Sequence, residues 1–272
     1  MAITRVHHLN CGTMRPLGRQ LSAVMPRDLV AHCLLVERPD GLTLVDTGIG
    51  VADVQQRAAR LGRAFMLLVG PVLDAAETAS AQVSALGFAP GDVTDVVLTH
   101  LDPDHSGGLA DFPHAKVHLH EREHIAATTR PTRREKERYL SAHWAHGPKW
   151  EVYAEDGETW RGLPAVTKLR GVVAEIGLLP MHGHTRGHSA VIVKAGARWK
   201  VHAGDAYFHR HAVDGSNKKV PSGFATFESL VQVDKAQRRA SAAALRQLRA
   251  SYDDLDLFCA HDPVEYQTLG GA

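Results

Sequence analysis

Val96-Val97-Leu98-Thr99-His100-Leu101-Asp102-Pro103-Asp104-His105-Ser106-Gly107-Gly108-Leu109 runs from apolar residues into four metal-capable side chains and then two glycines. The stretch Val93 to Leu98 is short, β-branched and preceded by Gly91-Asp92, which reads as a buried strand. His100 and Asp102 are two apart, so extended backbone points both the same way. Pro103 begins a turn carrying Asp104 and His105, and Gly107-Gly108 allow tight folding behind it. A polar turn often carries one such pair. Two imidazoles and two carboxylates at one strand end go further, and suit zinc, iron or manganese.

The rest of the chain sets bounds on function. At 272 residues there is chain enough for one domain with a large core. A net charge of +1 offers no electrostatic footprint for nucleic acid or an anionic membrane. No run approaches ~18 apolar residues, so no membrane span is expected. Met1-Ala2-Ile3-Thr4-Arg5-Val6-His7-His8 lacks an apolar signal core, which favours the cytoplasm. Cys11, Cys33 and Cys259 form no C-x-x-C pair and read as small buried hydrophobes rather than a disulfide framework or thiolate site. With 18 histidines, each candidate ligand needs its own argument.

Along the chain, Val30 to Val36 and Leu42 to Val45 read as strands joined across Arg38-Pro39-Asp40-Gly41, the second ending in Asp46-Thr47-Gly48. Asp53 to Leu61 and Asp74 to Leu86 have helical character. Between them, Phe65 to Val69 fits core, a greasy wall beside a site, or a contact in a homodimer. Ala115 to His120 is a further strand, on which His118 and His120 read as exposed or satisfied residues. Residues 128–160 form an aromatic-rich insert, in which Thr132-Arg133-Arg134-Glu135 has the form of a capping box opening a helix to about Tyr139. Its tryptophans, Trp144, Trp150 and Trp160, suggest a lid or pocket wall. Val173 to Leu179, Ala190 to Val193, Trp199 to Ala203 and Leu255 to Ala260 read as strands, and Lys235 to Ala250 as an amphipathic helix. Strands and helices alternating in two comparable halves suit α/β layers with loops gathered at one edge.

His-x-Asp-x-Asp-His-x-Gly-Gly at 100–108 resembles the His-x-His-x-Asp-His signature of the metallo-β-lactamase fold superfamily, with Asp102 in place of its second histidine. Gly183-His184-Thr185 resembles the second motif, Gly204-Asp205 the third and His261 the last. The resemblance implies an α/β four-layer αβ/βα sandwich of two mixed β-sheets flanked by helices, in one domain spanning 1–272. It also implies two divalent metal ions, zinc first, with iron or manganese as alternatives. One would take His100, Asp102 and His184, and the other Asp104, His105 and His261, with Asp205 bridging. His188 is then a neighbour, while His182, His202, His209 and His211 keep ordinary structural roles. Asp46-Thr47-Gly48 either supports the metal site, as in the superfamily, or simply ends a strand.

Two divalent ions lower the pKa of bound water from 15.7 towards roughly 7 and polarise the group under attack. Asp104 is a candidate to orient that nucleophile, and Tyr207 either donates to an oxyanion or packs as a buried aromatic. The layout most resembles the N-acyl homoserine lactonase branch, which implies opening of a lactone or ester by a metal-bound hydroxide. Phosphotriester hydrolysis, or a non-catalytic metal-bound sensor, remains an alternative. Three carboxylates and one hydroxide balance two divalent ions, so a neutral core is expected. Such a core suits an uncharged small molecule with an apolar tail.

Overall fold

In the computed structural model, which describes residues 5–20, 24–172 and 175–270, twelve strands form two six-stranded sheets. Sheet one runs β1 (Arg5–Asn10), β2 (His32–Arg38), β3 (Gly41–Val45), β4 (Val93–Val97), β5 (Lys116–His120) and β6 (Lys149–Tyr153). Its β1, β2 and β3 pair antiparallel, and β3 to β6 pair parallel. Sheet two contains β7 (Glu158–Trp160), β8 (Leu163–Lys168), β9 (Ile176–Pro180), β10 (Ser189–Ala195), β11 (Arg198–His202) and β12 (Leu255–Phe258), in the reverse order β12 to β7. Only the β11–β12 pair in sheet two is parallel.

Period-two alternation builds the layers. On β2, Leu34 and Val36 face a core shared between the sheets, with Val97, Leu178, Val191 and Phe258. Cys33 and Leu35, one residue out of step, face the core outside sheet one. On β10, Val191 and Val193 look inward while Ala190 and Ile192 look to the core outside sheet two. Strands buried on both faces read as continuous apolar runs, which is why the sequence shows them without alternation.

Ten α-helices are described: α1 (Val51–Gln56), α2 (Ala58–Leu61), α3 (Arg63–Leu68), α4 (Ala79–Ala85), α5 (Pro103–Ser106), α6 (Glu121–Thr129), α7 (Arg133–Arg138), α8 (Ser222–Val231), α9 (Lys235–Ser251) and α10 (Pro263–Gly270). The expected helix from Asp53 to Leu61 is broken at Arg57, whose φ of 48° no α-helix accommodates. The Thr132/Glu135 capping box is present, and α7 follows it. Val173, the expected start of a strand, lies outside the described residues; the strand is seen from Ile176.

Residues 128–160 supply an edge strand to each sheet, β6 and β7. Their tryptophans pack as structure: Trp144 and Trp150 against the core outside sheet one, and Trp160 against the other, beside Trp199. Of the two readings of His118 and His120, exposed or satisfied, the structure supports the second, since both are buried. His118 is satisfied by Asp95 and the Tyr153 hydroxyl, while His120 Nδ1 caps α6 by accepting from Arg122 N–H.

Candidate metal centre

The chain leaves β4 into Thr99 and His100, and then turns at Asp102, which stands before the first turn of α5 with Pro103 at its start. The turn expected at Pro103 is thus one helical turn, with His105 N–H and Ser106 N–H donating to Asp102 O. His184 follows Gly183, which has φ 123° and packs so closely on α9 that a Cβ would lie 2.1 Å from Arg238 N. Only glycine fits there. Asp205 lies just beyond β11 and His261 just beyond β12, so the ligand candidates collect at strand ends from both sheets.

All seven metal-capable residues converge. Around the first position, Asp102 Oδ2 lies 3.3 Å from His100 Nε2 and 3.0 Å from His184 Nε2. Asp205 Oδ2 lies 3.3 Å from His184 Nε2 and 3.8 Å from His100 Nε2. Around the second, Asp205 Oδ1 lies 3.4 Å from His105 Nε2 and 3.1 Å from His261 Nε2, and Asp104 Oδ2 lies 3.6 Å from His261 Nε2. A tetrahedral ion with bonds of about 2.0–2.1 Å needs ligands about 3.3 Å apart. Both groups have that spacing, and Asp205 offers one oxygen to each.

Hydrogen bonding tells the same story. His105 Nδ1 donates to Asp46 Oδ2 at 2.8 Å, and His261 Nδ1 to Val30 O at 2.8 Å. His100 Nδ1 meets Thr99 Oγ1 at 3.0 Å. A ring so held presents its bare Nε2 to the metal position, the usual arrangement for a ligating imidazole. Yet His100 Nε2, His105 Nε2 and Asp205 Oδ1 are buried with no hydrogen-bond partner. Buried polar atoms are rarely left so, and a cation would satisfy all three.

Electrostatics agree. Burial, then the neighbouring His105, lowers His100 to about 4, so its ring is neutral at pH 7. Burial also favours a neutral His105, but Asp205, Asp46 and Asp104 overcome it and hold the ring well above its ordinary value. So much negative charge calls for a positive partner.

Asp102 does face the first position, and it does not stand alone. Arg138, in the last turn of α7, donates Nε–H to Asp102 Oδ1 at 2.5 Å and Nη2–H to Oδ2 at 2.6 Å. Burial raises the Asp102 pKa, but Arg138 more than reverses this and holds the carboxylate well below its usual range. The neutral core expected from the ligand charges is therefore corrected: Arg138 returns the positive charge that Asp102 removes. No motif marks Arg138, one of six charged residues in the six-residue α7. The available signal was chemical, since a carboxylate standing where histidine is expected, among buried groups, needs a cation.

Other candidates sort cleanly. Tyr207 is fully buried with its hydroxyl on Glu265, and it does not line the cavity above the ligands. The structure therefore does not bring it to where an oxyanion would form. His188 holds the site from behind: its Nε2 accepts from Asp205 N–H and its Nδ1 donates to Met181 O. Glu123, which sequence reasoning missed, is buried between the metal-bearing loops. It accepts from Leu101 N–H, Thr185 Oγ1–H and Gly187 N–H.

A cavity of about 500 Å³ opens over the centre, floored by Asp102, Asp104, His184, Asp205 and His261. Its walls are Phe65, Leu68 and Val69 from α3 and its end, and Phe224, Phe227, Leu230 and Val231 from α8. Phe65, Leu68 and Val69 line the cavity, as the wall reading expects, and no residue of α3 is buried, which sets aside the core reading. From the insert, Arg134, Glu137, Arg138 and Leu140 line the cavity, and its tryptophans do not.

The family model of the metallo-beta-lactamase superfamily matches residues 26–261. Probable metallo-hydrolases of Mycobacterium bovis and Mycobacterium tuberculosis are each 44% identical over 264 residues, 97% of this chain and 82% of theirs. An N-acyl homoserine lactonase AttM of Azorhizobium caulinodans is 29% identical over 161 residues, 59% of this chain and 58% of its own. Among solved structures, an N-acyl homoserine lactone hydrolase with N-hexanoyl-L-homoserine at its catalytic metal centre aligns with TM-score 0.72 and 19% identity, covering 98% and 97% of the two chains. AidC, a dizinc quorum-quenching lactonase, aligns with TM-score 0.61 and 19% identity, covering 97% and 90%. Sequence motifs, two-sheet architecture and converged ligands lead to one conclusion: the chain belongs to the metallo-β-lactamase superfamily and is a metallo-hydrolase.

Proposed function

We propose that the chain opens uncharged lactones, or closely related esters, bearing an apolar acyl tail, using two divalent ions. The observation that carries this reading is the apolar cavity lying directly over both ligand groups. His100, Asp102 and His184 would hold one ion, Asp104, His105 and His261 the other, with Asp205 shared. Zinc suits this mixed nitrogen and oxygen set, and the three carboxylates also admit iron or manganese. When bound, such ions supply an acidified water and a Lewis acid for the carbonyl oxygen.

The protein's own groups set the geometry. Asp104 lines the cavity floor, where its carboxylate can orient the attacking water. Phe65, Leu68, Phe227 and Leu230 would receive the tail and keep bulk water from the reacting ester. Each buried CH₂ contributes about 0.8 kcal/mol, or roughly fourfold in kcat/KM. The test is turnover of neutral lactones, aryl esters and phosphotriesters by metal-loaded and chelated protein. Lactone turnover that chelator abolishes is expected; preference for phosphotriesters would overturn the substrate assignment.

A further inference from the structure

We propose that Arg138 makes the two metal positions unequal: its guanidinium competes with an ion for Asp102 and His184, so the first position fills last and more weakly. This rests on the two-ion reading above. A guanidinium has five N–H donors in a fixed fork and keeps its charge throughout the accessible pH range. In Arg138 all five have acceptors. Nε–H reaches Asp102 Oδ1 at 2.5 Å. Nη1 reaches His184 O at 3.1 Å and Val231 O at 2.8 Å. Nη2 reaches Asp102 Oδ2 at 2.6 Å and His184 Nε2 at 2.7 Å.

The last two acceptors are the atoms an ion in the first position needs. A nitrogen lone pair given to Arg138 is not available to a metal, and the same holds largely for the oxygen. The second position has no such competitor. Among the described residues, Asp104 and Asp205 make their ion-pair contacts with histidines alone. At the first position His100 Nε2 lacks any partner while His184 Nε2 has Arg138, and at the second His105 Nε2 and Asp205 Oδ1 both lack one.

Loading the first position would break two of the five hydrogen bonds and leave three. Nε would still hold Asp102 by Oδ1, and Nη1 would still bind the carbonyls of His184 and Val231. Arg138 would then stay beside the centre as a fixed positive charge, keeping Asp102 single-handed toward the metal. A histidine in place of Asp102 would remove both the carboxylate and the reason for the arginine.

The experiment is titration of metal-free full-length protein with Zn²⁺ against a chromophoric chelator. Two ions should bind, with constants at least about tenfold apart, the scale of one charge-assisted hydrogen bond. His261→Ala should retain the weaker constant and His100→Ala the tighter one. Adding Arg138→Met to His261→Ala should tighten the remaining site about tenfold. Weakened binding there would instead make Arg138 an orienting partner and overturn the proposal, as would equal constants in the wild type. If Arg138→Met does not fold, arginine side-chain NMR of the wild type decides. The Arg138 Nη signals should shift with the second equivalent of Zn²⁺; a shift with the first overturns the proposal. Protein that binds no zinc would refute the two-ion reading itself, a different outcome from equal binding.

Discussion

Replacing Asp46 by asparagine should disable the second metal position while sparing the backbone. Asp46 is buried with φ 56°, a conformation asparagine tolerates nearly as well as aspartate. Its carboxylate accepts from Thr99 N–H, Thr99 Oγ1–H and His105 Nδ1–H, each at 2.8 Å. An amide has one acceptor oxygen and one donor nitrogen, so it cannot serve both ends. With its oxygen on Thr99 N–H, its NH₂ faces His105 Nδ1 and drives the ring proton onto Nε2, the atom meant for metal. Flipped, it leaves the Thr99 N–H without an acceptor, which costs about 1–3 kcal/mol. Loss of a partner behind a ligating histidine lowers metal affinity about 10–100-fold, or roughly 1.4–2.7 kcal/mol. Zinc competition titrations and thermal melts of Asp46→Asn measure both quantities. Unchanged affinity together with an unchanged melting temperature would refute the argument that Asp46 sets the His105 tautomer.

Three further outcomes follow from packing and burial. His8 Nδ1 meets His32 Nε2 at 2.7 Å, and burial, followed by nearby Lys200 and His202, lowers His8 to about 4. His32 is also held well below its ordinary value, chiefly by burial. Both rings stay neutral in the fold but take up protons in the unfolded chain below about pH 6.5. Stability should therefore fall as pH drops from about 6.5 toward 4. Urea midpoints at pH 7.5 and 5.0 test this, and a midpoint that holds or rises at pH 5.0 contradicts it. Phe65→Ala and Leu68→Ala remove cavity wall without touching a buried core, so they should flatten the dependence of kcat/KM on tail length at little cost in melting temperature. Trp150→Ala should do the reverse, losing about 2 kcal/mol of stability from its partly buried ring with tail preference intact. Preference that follows Trp150 instead would restore the insert as a lid.

Much of this architecture was legible because metal sites are written in short motifs. His100, Asp104 and His105 lie within six residues, and His184, Asp205 and His261 each follow a run that became a strand. What escaped depends on tertiary contacts. The tryptophans of the insert looked like a wall because aromatic residues in a charged stretch advertise surface, yet β6 and β7 carry two of them onto the sheet edges. Tyr207 sits two residues past Asp205 but turns into the core outside sheet two, a choice set by Glu265 on α10. Helix α8, which builds half the cavity wall, has no strong cap, and its residue before the first turn is Pro221. Arg138 was hidden for the plainest reason. Its partner Asp102 is 36 residues away, and only the folded chain shows that they pair.

The most direct test of the account is kcat/KM for N-acyl homoserine lactones of increasing chain length, measured with protein carrying two equivalents of zinc and again after chelation. The expected result is hydrolysis of the lactone ring that rises about fourfold per CH₂ until the cavity is filled and disappears when the metal is removed. A metal-loaded, folded protein that leaves every lactone intact, or one indifferent to the tail, would contradict it.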